Sequence, residues 1–222
     1  MTARILVINP NSTAAVTEGI DAALAPLRVA GSPEIDCATL AEGPPGVESQ
    51  RHVEQVTLPL CRLVEREDNR TDAFVIACFS DPGLHAVREA TRRPVFGIAA
   101  AGIATALNLG ERIGVIAILP SSLARHWRYF RAMGVAERIA GDRPANLGVT
   151  ELADEARTLT RLTETGKALC DEDRADVVVL GCAGMAKYRT RLEAALARPV
   201  IDPTQAAVAM AIGAVQLGYR TA

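Results

Sequence analysis

"DAFVIACFSDPGLHAVREATRRPVFGI", residues 72–98, decides how this chain is read, because it recurs as "DVVVLGCAGMAKYRTRLEAALARPVID", residues 176–202. Each copy opens on an aspartate, runs six residues through an apolar stretch to a cysteine, passes a helical pattern and enters another strand at Arg-Pro-Val. Cys78 and Cys182 stand 104 residues apart, as do Asp72 and Asp176, while Pro94 and Pro199 stand 105 apart. Further upstream, "RILVINPNS" (4–12) and "RIGVIAILPSS" (112–122) both run from a strand into Pro-x-Ser, with Pro10 and Pro120 separated by 110. A period near 105 in 222 residues predicts two similar halves related by an approximate twofold axis, with each cysteine facing the cleft between them.

Within the first copy, Phe74, Val75 and Ile76 form the continuous apolar run expected of a strand buried on both faces of a parallel sheet. Cys78 sits where that strand stops. Ser80, Asp81, Pro82 and Gly83 are turn and helix-start chemistry, with Asp81 predicted as N-cap and Pro82 as the first helical residue. The thiol is therefore expected at the carboxyl end of a strand, where open α/β sheets bind ligands. On this stretch alone Cys78 also reads as one more small buried hydrophobe.

The same alternation runs along the whole chain. Strands are predicted at "RILVIN", "IDCATL", "AFVIAC", "PVFGI", "RIGVIAIL", "ANLGVT", "DVVVLGC" and "RPVID". Helices are predicted from about Thr13 and Gln50, after Pro82, through "LARHWRYFRAMG", from Glu151, after Cys182 and from Pro203. This pattern is that of an α/β protein. The expected architecture is two pseudosymmetric lobes, each a parallel sheet flanked by helices: residues 1–98 with the closing helix 203–222, and residues 99–202.

Composition narrows the function. A chain with 49% hydrophobic and 23% charged residues is ordinary for a soluble globular protein. Its 24 basic and 26 acidic residues, net charge −2, leave no electrostatic footprint for nucleic acid or an anionic membrane. The N-terminal apolar run stops at Asn9 and Pro10, too early for a signal peptide, and nothing approaches the roughly 18 apolar residues of a membrane span. A cytoplasmic protein with reduced thiols is expected. Five widely spaced cysteines and three histidines, with no C-x-x-C pair, suggest neither a disulfide framework nor a metal site. Only Lys167 and Lys187 are lysines, and neither follows a Schiff-base signature. No cofactor is expected.

Two cysteines on opposite walls of one cleft can do particular chemistry. The thiolate is the basic form, and helix N-terminal amides are expected to favour it at both Cys78 and Cys182. A thiolate on one face of an acidic carbon and a thiol on the other can remove one proton and return another, inverting the centre without a cofactor. Donors for the enolate-like charge are expected from Asn11, Ser12, Ser80 and the amides of Ala183 and Gly184.

"INPNST", "ACFSDPGL" and "LGCAGM", in that order, resemble the aspartate/glutamate/hydantoin racemase superfamily, most closely its hydantoin and allantoin racemase branch. The resemblance runs over essentially the whole chain. It implies a cofactor-independent racemase or epimerase acting beside a carbonyl on a hydantoin, ureide or amino-acid-like small molecule, working as a homo-oligomer. Cys78 and Cys182 match the two catalytic cysteines. Asn11 and Ser12 fall in the first substrate loop, Phe79 and Ser80 after the first cysteine, and Ala183 and Gly184 after the second. Hydantoin racemases have an acidic residue where Ser80 stands and a glycine-tyrosine pair after the position of Glu48, where this chain reads "GPPGVESQRH". Cis-trans isomerases and decarboxylases of the superfamily, and a non-catalytic binder with the same cleft, are the alternatives; a redox protein would need Cys78 and Cys182 close enough to pair.

Other features read as scaffold. In "ARHWRYFRAMG", Trp127, Phe130 and Gly134 have helical spacing and are expected to pack, leaving Arg125, Arg128 and Arg131 on a solvated face. "EREDNRTD" reads as a polar linker, and His52 and His85 as surface residues. The stiff loop "AEGPPGVESQ" is expected to cover the cleft, with Ser49 contacting the ligand.

Overall fold

In the computed structural model, which describes residues 2–220, strands and helices alternate throughout. β1 (Arg4–Asn9), β2 (Glu34–Thr39), β3 (Ala73–Ile76) and β4 (Val95–Gly97) form one sheet in the order β2-β1-β3-β4. β5 (Ile113–Ala117), β6 (Ile139–Pro144), β7 (Val177–Leu180) and β8 (Val200–Ile201) form a second in the order β6-β5-β7-β8. Every pairing is parallel, and adding four to each strand number of the first sheet yields the second. The register repeats too: Ile8 lies opposite Ile76, and Ile116 opposite Leu180. The internal repeat of the sequence is thus a repeat of topology.

Alternation of side chains along each strand explains why both faces are covered. Ile5, Val7 and Val75 face α1 (Ala14–Ala23) and α9 (Pro203–Leu217), meeting Ile20, Ala207 and Val208. Leu6, Ile8, Phe74 and Ile76 face the other way, toward α2 (Gln50–Gln55), α3 (Thr57–Glu67) and α4 (Leu84–Glu89), meeting Val53, Leu60, Leu84 and Val87. In the second sheet, Val115, Val177 and Val179 pack on α5 (Ile98–Ala106) and α6 (Pro120–Ala132), through Ile103 and Phe130. Ile116, Val178 and Leu180 pack on α7 (Glu155–Asp171) and α8 (Arg189–Leu196), through Leu162, Leu169 and Leu192. Each fully buried side chain of this kind contributes about 1.5–3 kcal/mol.

The last helix returns to the first sheet. α9 lies against β1, β3 and β4 and runs along α5, which itself packs on β7. The two helices approach closely at Gly102, where a Cβ would stand 2.8 Å from that of Pro203.

Three expectations need correction. "ANLGVT" is not a strand; the strand is the preceding β6, "IAGDRP". β6 pairs only with β5 and is half-buried along most of its length, so an edge strand here carries Asp142 and Arg143 where a continuous apolar run was sought. Ala145 and Leu147 still donate to the carbonyls of Ala117 and Ile118, at 2.8 and 3.1 Å, but Asn146 at φ 58° turns the chain away. Next, Asp81 and Pro82 do not start the following helix. α4 begins at Leu84 behind Gly83, which takes φ 64°. Finally, Gly134 lies beyond the end of α6, exposed and at φ 72°, so it stops that helix and packs on nothing.

Candidate active site

Both sheets point the carboxyl ends of their strands at one cleft. Cys78 follows β3 and Cys182 follows β7, the inner strands at matched positions of the two sheets. The two thiols line the same cavity, with Phe79 and Ser80 on the first side and Ala183 and Gly184 on the second. This cavity is narrow between the two thiols, with about 30 Å³ open there. All five cysteines are free thiols, so Cys78 and Cys182 are not paired.

The surroundings of the two thiols differ in sign. Burial pushes the Cys78 thiol above its ordinary value; the Ser80 amide and hydroxyl and the Arg125 cation pull it back, while Asp81 adds to the rise. Burial likewise lifts Cys182, to about 12; only the Gly184 amide lowers it, and Cys78, Glu48 and Asp202 all push it further up. Both thiols are thus raised by burial, with a cation and Ser80 opposing the rise at Cys78 and carboxylates adding to it at Cys182. The expected helix N-terminus is absent at Cys78, where the amide comes from the tight turn that also bonds Asp81 N to the Cys78 carbonyl at 2.9 Å. Cys182 does stand at a helix start, as N-cap of the 3-10 turn Ala183–Tyr188.

The helix read as a solvated face contributes to the site. Arg125 is 8% exposed and lines the cavity, its Nε donating to Ser80 Oγ at 2.8 Å and its Nη2 to Ser122 Oγ at 3.3 Å. A Ser80 hydroxyl that accepts from the guanidinium keeps its own hydrogen for the Cys78 sulfur. His126 is also buried there, its Nδ1 3.0 Å from Asp142 Oδ2 and its ring edge-on to Phe79. The Pro-x-Ser repeat was the available signal for Ser122, which has the place in its half that Ser12 has in the first. Nothing in the local pattern singled out Arg125 or His126, because their burial comes from the loop after Cys78 lying across α6.

Of the remaining expected contacts, Asn11 lines the cavity; its Oδ1 accepts from Asn9 Nδ2 and Thr13 N, both at 3.0 Å, leaving the amide N–H groups for a ligand. Ser12 and Ser49 do not line it. Ser12 is exposed and its amide donates to the Pro44 carbonyl, while the Ser49 hydroxyl caps α2 by accepting from His52 N at 3.1 Å. The loop itself does reach the cleft. Val47 lines the cavity, Glu48 Oε1 accepts from Val149 N at 2.9 Å, and Ser121 Oγ donates to the Glu48 carbonyl at 3.3 Å. His52 Nδ1 accepts from Glu48 N, and His85 is exposed. In the stretch read as a polar linker, Glu67 is buried between Arg4 and Arg70.

Asp81 has a role that its sequence position hid. Its carboxylate accepts from Ala99 N and Ala100 N, both at 2.9 Å, and from Tyr129 OH at 2.7 Å, so it caps α5 from a distance. Burial raises it to about 6. Among the described residues no group of three or more His, Cys, Asp or Glu is placed to hold a metal ion, and no helix is long and apolar enough to cross a membrane.

Comparison with known proteins bears on this geometry. The Asp/Glu/Hydantoin racemase family model matches residues 5–211. The chain is 40% identical to a hydantoin racemase of Paenarthrobacter aurescens over 98% of this chain and 93% of that protein. It is 37% identical to a hydantoin racemase of Pseudomonas sp. (strain NS671), over 98% and 88% respectively. Among solved structures, an allantoin racemase from Klebsiella pneumoniae superposes with a TM-score of 0.93 at 31% identity, covering 100% of this chain and 91% of that one.

Proposed function

This chain belongs to the Asp/Glu/hydantoin racemase family, and from that premise we propose that it inverts an acidic carbon beside a carbonyl in a small cyclic amide or ureide of the hydantoin type. Residues 1–98 with 203–222 form one lobe in this reading, and residues 99–202 the other. The observation that carries it is the placement of Cys78 and Cys182 in one enclosed cavity at equivalent ends of two equivalent sheets.

The step follows from the charge asymmetry. The Cys78 thiolate takes the proton from the face of the carbon it meets, and the electron pair moves onto the adjacent carbonyl oxygen. The Cys182 thiol then delivers its proton to the opposite face as the carbonyl re-forms. The product is the other enantiomer, with a thiol at Cys78 and a thiolate at Cys182, the form that runs the reverse reaction; exchange with solvent resets it. Asn11 Nδ2 and the loop amides after each cysteine are the donors near the developing oxyanion. Only a proton moves, so the chemistry asks for no cofactor.

Enantiopure hydantoins and allantoin, followed by polarimetry and by loss of the α-proton signal in D₂O, test the reading. Cys78→Ser and Cys182→Ser should each lose interconversion by at least about a thousandfold, since a serine hydroxyl is a far poorer base near neutral pH. Each should still exchange the proton of one enantiomer, and the two variants should choose opposite enantiomers. A folded single variant that racemises near the wild-type rate would overturn the two-thiol assignment.

A further inference from the structure

Two recesses open off the cavity on opposite sides, and they occupy equivalent places in the repeat. One, of about 240 Å³, is bounded by α2 and α6 and the loop after Cys78; Phe79, Ser80, Arg125 and His126 are shared between it and the cavity. The other, of about 250 Å³, is bounded by α1, the 3-10 turn Val149–Ala153 and the loop after Cys182; Val16, Val149 and Gly184 are shared. The 110-residue offset from Pro10 to Pro120 places Ala15 and Gly19 of α1 where α6 has Arg125 and Tyr129. The recess beside Cys182 is walled largely by Val16, Val149, Leu152 and Ala153, with Lys187 as its one cation. The one beside Cys78 holds two guanidinium groups, Arg125 and Arg128, with Gln50.

Neither arginine is held by a carboxylate ion pair among the described residues. Arg125 is buried, and its two hydrogen bonds go to uncharged hydroxyls, those of Ser80 and Ser122. Arg128 is exposed at the mouth, its Nη2 donating to Gln50 Oε1 at 2.9 Å. Of the two nearby acids, Asp142 acts on Arg125 by its charge but bonds to His126, and Asp81 is bonded by two amides and Tyr129. A guanidinium has five N–H donors, and one that faces the Cys78 thiol but spends its hydrogen bonds on two hydroxyls has donors left for an anion.

We propose that the substrate carries an anionic group, a carboxylate, that seats between Arg125 and Arg128 in the recess beside Cys78. This rests on the racemase reading and narrows its substrate class to cyclic amides or ureides bearing a carboxylate substituent. The reacting carbon then lies in the cavity between the thiols, and the substituent points outward along α6.

The test compares two substrates that differ in charge and little else, enantiopure hydantoin-5-acetic acid and hydantoin-5-acetamide, with wild type and Arg128→Gln. Wild type should racemise the acid with kcat/KM at least about tenfold higher, the worth of a charge-assisted hydrogen bond. Arg128→Gln should remove that preference by slowing the acid alone. Equal rates on acid and amide, or turnover of 5-alkyl hydantoins but not of the acid, would overturn the proposal while leaving the racemase reading standing. If no hydantoin or ureide is racemised, the racemase reading fails, and the recess is judged on succinate alone. Thermal stabilisation by millimolar succinate that Arg128→Gln abolishes upholds an anion site; no stabilisation of wild type overturns it.

Discussion

The loops after Cys78 and Cys182 occupy the same place in two sheets of the same topology, yet only the first has a cation acting on its thiol. Arg125 stands beside the first thiol through Ser80, whereas the second faces Glu48 and Asp202. The helices that follow differ in the same way. α9 is capped by its own N-cap residue, Asp202, whose Oδ1 accepts from Thr204 N at 2.8 Å. α5 has Gly97 there, and the carboxylate arrives from the Cys78 loop as Asp81; a Cβ on Gly97 would stand 2.2 Å from Asp81 Cγ. Duplication of a βα scaffold thus supplied two equivalent positions. Side chains brought in from neighbouring elements then gave the two thiols different electrostatic surroundings.

The largest expected effect comes from removing the cation. Arg125→Met should raise the Cys78 pKa further, because burial is then opposed only by Ser80. At neutral pH kcat/KM should fall about 10²–10³-fold, partly recovering as the pH is raised and the thiolate is regenerated, and Arg125→Lys should restore a substantial part. The iodoacetamide reactivity of Cys78 against pH, read by mass spectrometry, should move to higher pH in the Met variant. An unmoved Cys78 profile would erase the asymmetry argued above.

A smaller effect tests the caps. Burial raises Asp81 and Asp202 from 3.8 to about 6 in each case. Below about pH 4 each is protonated whether the chain is folded or not, and contributes nothing. Above pH 6 each is ionised in both states, and the folded protein bears the whole cost, on the order of 3 kcal/mol per group. Stability from these carboxylates therefore falls as pH rises from about 4 to 6. Urea unfolding across that window should show wild type losing about 1–3 kcal/mol relative to Asp81→Asn as the pH rises from about 4 to 6. Tyr129→Phe, which takes a donor from Asp81 and touches nothing at Asp202, should steepen the Asp81 contribution and leave that of Asp202→Asn unchanged.

Legibility followed the range of the interaction. The repeat, the two strands ending in cysteine and the parallel pairing were visible because buried inner strands must be apolar on both faces, and that pattern is local. β6 escaped because an edge strand has no such requirement, as Asp142 and Arg143 show. Asn11, Phe79, Ser80, Ala183 and Gly184 sit at chain positions next to a strand end, where a motif can find them. Arg125 and Asp81 could not be found this way: one is buried by a loop 45 residues upstream, and the other caps a helix 18 residues downstream. Ser49 stands in the cleft loop, and its hydroxyl caps the start of α2, a use that a loop position alone does not reveal.

The smallest effect probes the anionic side. Glu48 raises Cys182 by its charge while its Oε1 accepts from Val149 N at 2.9 Å. Glu48→Gln keeps an oxygen to accept that bond, so the loop stays tied across the cleft and only the charge is lost. Cys182 should become more acidic, by less than one pH unit because burial remains the dominant cause of its rise. At a fixed pH near 9 its alkylation rate should increase several-fold, in proportion to the thiolate fraction, with Cys78 little changed. Because the equilibrium constant between enantiomers is unity, kcat/KM for inversion must change equally in the two directions. The directional response is in solvent exchange with retention, which should gain on the enantiomer that meets Cys182 and not on the one that meets Cys78. Initial exchange rates in D₂O, measured separately on each enantiomer before interconversion, isolate the two arms. An equal gain on both, or a gain at Cys78 instead, would mean that Glu48 acts through the shape of the loop and not through its charge on the second thiol.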